Sequence, residues 1–66
     1  MDIFVNGAAQ QIPDTLSVAE LLRRMELVEQ RLAVELNREI VPRSRYAAQP
    51  LHAGDRIEIV RAVGGG

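Results

Sequence analysis

Cysteine, lysine and tryptophan are absent from this 66-residue chain, and Phe4 and Tyr46 are its only aromatic residues. Without cysteine there is no disulfide, no thiolate metal site and no nucleophilic thiol on the chain. Without lysine, all 8 basic residues are arginines, so copies of the chain cannot be joined to one another through side-chain amines. No apolar run approaches the ~18 residues that would span a bilayer, and the opening residues lack the pattern of a signal peptide. A cytoplasmic protein with no membrane partner is expected. The net charge is −1 with acids and bases interspersed, which offers no basic stripe to nucleic acid. His52 is the only histidine, and with no second imidazole or thiolate to share a metal it reads as a solvated loop residue.

The length allows one small domain. A chain of this size buries only about 60% of the surface its unfolded form exposes, so one modest core is expected. A ligand pocket of about 300 Å³ or more would consume much of that core. Catalysis by this chain alone, or a cofactor of its own, is therefore not expected.

Asp2 to Asn6 alternates, with Ile3 and Val5 on one face and Phe4 on the other. Asn6-Gly7 is a strong hairpin signal, so residues 8–12 should return as a second strand, ended by Pro13 and Asp14. Ser17 and Glu20 have the spacing of a capping box, and Leu16 and Leu21 that of a hydrophobic staple. Val18, Leu21, Leu22 and Met25 then fall on one stripe, which predicts a short helix lying on a sheet. Its end, between Glu26 and Arg31, is unmarked.

Leu32, Val34 and Leu36 alternate as a third strand. A turn at Asn37 to Glu39 leads to a short extended piece, Ile40-Val41, ended by Pro42, which cannot donate to a ladder. An irregular connection reaches Ala53, and Gly54-Asp55 turns into a last strand over 56–63. There Ile57 and Ile59 share one face, and Arg56, Glu58 and Val60 the other. This order predicts an α+β fold of the β-grasp, ubiquitin-like kind over residues 1–63. One main helix should cover one face of a mixed four- to five-stranded sheet, with the first and last strands parallel at its centre.

Gly64, Gly65 and Gly66 follow that strand. At about 7% glycine in average composition, three in succession arise by chance roughly once in three thousand. Lacking Cβ, such a tail can extend, thread a narrow channel and let another backbone approach closely. The α-carboxyl, with an ordinary pKa of about 3.3 to 3.7, is then an anion at neutral pH. It can attack the α-phosphate of ATP in a partner's site and form an acyl adenylate.

Taken together, Ala33-Val34-Glu35-Leu36-Asn37, Ile40-Val41-Pro42-Arg43, Tyr46, Gly54-Asp55, Ile57-Glu58-Ile59-Val60 and Val63-Gly64-Gly65 resemble the ThiS family of thiamine-pathway sulfur carriers. The opening Ile3-Phe4-Val5 also resembles ubiquitin's first strand. The resemblance implies a protein that is itself a substrate. A ThiF-type enzyme would use ATP to adenylate the Gly66 carboxylate. A sulfur donor, such as a cysteine desulfurase persulfide, would convert it to a thiocarboxylate, and thiazole synthase would accept the sulfur. The family motif is a diglycine whereas this chain has three glycines; the reactive position should still be Gly66, the last residue, with Gly65 taking over if processing removes it. Carriers for molybdopterin or another sulfur-containing metabolite share this activation chemistry. A ubiquitin-like modifier of target lysines and an unreactive interaction module are the alternatives from other classes.

Contact with partners is assigned to Phe4, placed on the sheet's open face near Val60, and to Val60, Arg61, Ala62 and Val63, which precede the tail. Arg43 joins them, because guanidinium groups are enriched at interfaces. Glu35 and Asn37 lie in the most family-like stretch and read as solvated, without a catalytic role.

Overall fold

Asn6 and Gly7 both take positive φ, 50° and 85°. This is the type I′ signature, whose twist matches that of paired strands, and it joins β1 (Asp2–Val5) to β2 (Ala8–Gln11). The computed structural model describes residues 1–27 and 31–61. Positions 28–30 lie outside the described residues, as do Ala62, Val63 and the glycines 64–66.

The helix α1 (Val18–Arg24) begins as its sequence predicts. Ser17 Oγ accepts the Glu20 N–H at 3.2 Å, and Glu20 Oε1 accepts the Ser17 N–H at 3.1 Å. The N–H groups of Val18 and Ala19 donate to the carbonyls of Gln49 and Tyr46, each at 2.9 Å. The irregular connection thus supplies acceptors that a helix N-terminus cannot find within itself. At the other end Glu26 takes φ 59°. Its N–H bonds the Arg23 carbonyl at 3.0 Å, and the Leu27 N–H bonds that of Leu22 at 2.9 Å. This is a Schellman closure with glutamate where glycine is usual. No glycine marks the helix end in the sequence, so side-chain type alone does not reveal it.

β3 (Leu32–Leu36) and β4 (Glu39–Val41) form a second hairpin around Asn37 and Arg38, at φ 50° and 72°. A 3-10 turn follows at Arg43–Arg45, then the irregular connection and β5 (Arg56–Arg61). The five strands lie in the order β2-β1-β5-β3-β4. β1 and β5 are parallel and the other neighbours antiparallel. The last strand in sequence is therefore the middle strand in space, as the order of elements predicts.

One face of the sheet carries Ile3, Val5, Val34 and Ile57, buried in one core with Val18, Leu21 and Leu22 of the helix. Burial of each such side chain contributes about 1.5–3 kcal/mol. Leu16 and Leu51 are buried with them and are joined by the Leu51 N–H to Leu16 carbonyl bond at 2.9 Å. The opposite face of the sheet has no layer of secondary structure over it among the described residues.

Candidate functional site

Residues 62–66 continue directly from Arg61, the last residue of β5, so the way β5 is held sets where that segment starts. Toward β3 the pairing runs from Leu36↔Ile57 through to Leu32↔Arg61. Toward β1 the strand pairs are Phe4↔Arg56 and Val5↔Ile57, after which β1 turns away at Asn6-Gly7. Two side-chain amides extend the pairing beyond the ladders. Asn6 Oδ1 accepts the Ile59 N–H at 2.8 Å while its Nδ2 donates to the Ile59 carbonyl at 3.3 Å. At the entry to β5, Asn37 Oδ1 accepts the Arg56 N–H at 3.0 Å. Both asparagines open type I′ turns, and sequence reasoning assigned neither side chain a bond to β5.

The open face presents Phe4, Arg56, Glu58 and Val60. The Arg56 guanidinium lies 5.5 Å from the centroid of the Phe4 ring, within cation–π range. Val60 shares this face but sits four β5 residues from Arg56, about 13 Å at 3.3 Å per residue, and it pairs with Ala33. Phe4 is therefore beside Arg56 and not near Val60, because β1 turns back before it reaches the level of Val60. Glu35 and Glu58 face each other directly across β3 and β5, and Ile40 faces Glu35 from β4.

Ile40 and Val60, 76% and 57% exposed, are the exposed large apolar residues among those described. Sequence reasoning missed Ile40. The signal was present, since Val41 faces the core and strand alternation turns its neighbour outward. Arg61 is exposed, and the same alternation turns it to the face opposite Val60. Arg43 is exposed on the 3-10 turn after the edge strand β4. Because β5 and β3 lie between β1 and β4, the fold does not bring Arg43 beside Phe4. Ala62, Val63, Gly64, Gly65 and Gly66 fall outside the described residues.

His52 is solvated, its side chain 75% exposed, and its N–H donates to Asp55 Oδ2 at 2.7 Å. Among the described residues no cluster of metal-ligating side chains occurs, and no helix is long and apolar enough to cross a membrane. The described body offers a centrally anchored strand that leads into a glycine segment, beside an exposed face with apolar residues at its margins.

The ThiS family model matches residues 3–66, from the first core residue of β1 through the glycines. The chain belongs to the ThiS family. It is 32% identical to the sulfur carrier protein ThiS of Escherichia coli K12 over the whole of both chains. It is 38% identical, over all 66 residues, to a segment of the thiazole synthase of Paramagnetospirillum magneticum. The chain spans only about 20% of the length of that relative and of a second thiazole synthase, from Magnetococcus marinus. It superposes on the crystal structure of the thiamine biosynthesis protein ThiS from Geobacter metallireducens with a TM-score of 0.88, at 32% identity and over the full length of both chains. The β-grasp architecture predicted from element order is thus that of a solved member of the same family.

Proposed function

We propose that this chain is a sulfur carrier for thiazole formation in thiamine biosynthesis, with the Gly66 carboxylate as its reactive group. A ThiF-type enzyme binds the carrier with ATP, and a carboxylate oxygen attacks the α-phosphorus as pyrophosphate leaves. The resulting adenylate gives the carbonyl carbon a leaving group that the free carboxylate lacks. The terminal sulfur of a donor persulfide, such as that of a cysteine desulfurase, attacks this carbon and AMP departs. A thiol then cleaves the sulfur–sulfur bond, supplies the two electrons and frees the thiocarboxylate. Thiazole synthase takes the sulfur.

The observation that carries this reading is the family match that runs from the core of β1 through the glycines, with the central strand β5 ending at Arg61 shortly before them in the sequence. Thiazole synthase is favoured as acceptor over the enzymes of molybdopterin formation because two relatives named thiazole synthase contain a segment like this chain. Gly64 and Gly65 leave a channel unobstructed by side chains, while Phe4, Val60, Arg61, Ala62, Val63 and Arg43 supply contacts to the partners.

The test is intact-mass spectrometry after incubation with the adenylating enzyme, ATP and a persulfide donor. A terminal oxygen replaced by sulfur supports the proposal. Attachment of the chain to lysines of other proteins would show a modifier instead, and a terminus that never reacts would overturn both. Gly65→Val is expected to abolish adenylate formation while the circular dichroism spectrum stays unchanged.

A further inference from the structure

Successive residues of a strand turn their main-chain groups to opposite neighbours. In β5, Arg56 turns toward β3, where Asn37 holds it, and Ile57 and Ile59 turn toward β1. The Asn6 N–H takes the Ile57 carbonyl at 2.9 Å, and the strand itself then leaves. What holds Ile59 on this side is the Asn6 side chain, whose oxygen and NH₂ meet Ile59 N–H and C=O as a peptide group of a longer β1 would. One amide adds a rung to the ladder past the point where β1 has turned away.

We infer that Asn6 is a positioning residue that fixes the departure of the reactive tail by bonding both main-chain groups of Ile59. Without this rung, the segment from Ile59 to Arg61 is held on its β3 side alone, as an edge strand is. The strand end at Arg61, from which the reactive segment starts, is then less fixed, and the adenylating enzyme must order it on binding. This role rests on the carrier function proposed above. The turn does not account for the side chain's bonds, since φ of 50° at position 6 suits glycine as well as asparagine.

Asn6→Gly keeps the turn and deletes the rung. In amide hydrogen exchange of the variant, protection of the Ile59 N–H is expected to fall at least about tenfold. Glu58 and Val60, registered against Glu35 and Ala33, should keep theirs. In ATP-dependent adenylation, KM for the carrier should rise up to about tenfold, the net worth of a hydrogen bond, with kcat nearly unchanged. Asn6→Asp retains the acceptor for the Ile59 N–H and should recover that amide's protection and part of the KM loss. It also serves if the glycine variant folds poorly.

Unchanged Ile59 protection in Asn6→Gly would refute the rung. Lost protection with unaltered KM and kcat would leave Asn6 a structural residue and overturn its positioning role. A wild-type chain that is not adenylated would remove the carrier reading and the positioning role together, an outcome distinct from both.

Discussion

The Asn37 side chain spans from the second hairpin to Asp55, its Nδ2 donating to Oδ1 at 3.0 Å. Its own Oδ1 holds the Arg56 N–H at 3.0 Å, and the Asn37 N–H meets the Arg56 carbonyl at 2.8 Å. Asp55 in turn accepts the His52 N–H. The entry to the central strand is therefore fastened by a side-chain network and not by ladder pairing alone.

Asn37→Gly tests that network, because glycine tolerates φ of 50° while losing the amide. It should destabilise the fold by about 1–2 kcal/mol, read as a lower urea midpoint at constant m value. Asn37→Asp should also destabilise, since a carboxylate would face Asp55.

Among the described residues, two other than glycine or asparagine, Glu26 and Arg38, hold positive φ of 59° and 72°. A left-handed conformation costs a residue with Cβ roughly 1–2 kcal/mol, only partly offset in glycine variants by the greater freedom of the unfolded chain. Glu26→Gly and Arg38→Gly are each expected to raise the thermal midpoint by a few degrees, about 4–8 °C per kcal/mol for a domain of this size. Differential scanning calorimetry reads the rise, and a lowered midpoint would overturn it.

The capping box is the best-defined local signal in the chain. Ser17→Ala removes the acceptor of the Glu20 N–H and should cost about 1 kcal/mol. Ser17→Asp should restore most of it, by chemical denaturation of the three proteins side by side.

Val60 is exposed and near the start of the tail, so its substitution separates docking from stability. Val60→Asp should shift the thermal midpoint little, as surface changes usually stay within about 0.5 kcal/mol. It should raise the KM of adenylation about tenfold, as the loss of an apolar interface contact does. Equal KM values for variant and wild type would remove Val60 from the partner-facing surface.

Much of the architecture was legible because its signals are local. Ser17 and Glu20 are three residues apart, Ile57 and Ile59 two, and Asn6-Gly7 adjacent, so near neighbours alone encode the cap, the strand face and the turn. The end of the helix was not legible, since Glu26 closes it through backbone geometry with no glycine to announce it. Phe4 was assigned correctly to the open face but to the wrong neighbour, because the level at which β1 meets β5 is a matter of register between distant segments. Ile40 was overlooked although the alternation with Val41 is present, because a three-residue edge strand repeats it too few times to stand out.

What the sequence determined by itself is the order of the elements, the apolar stripes that form the core and the glycine composition of the tail. Each depends on side-chain types at short spacing. What the tertiary structure alone decided is how β5 is held: Asn6 bonding Ile59, Asn37 bonding Arg56, and Arg56 lying over Phe4. Those contacts join residues that the chain brings together only after the sheet has closed, and no local pattern of hydrophobicity or propensity records them.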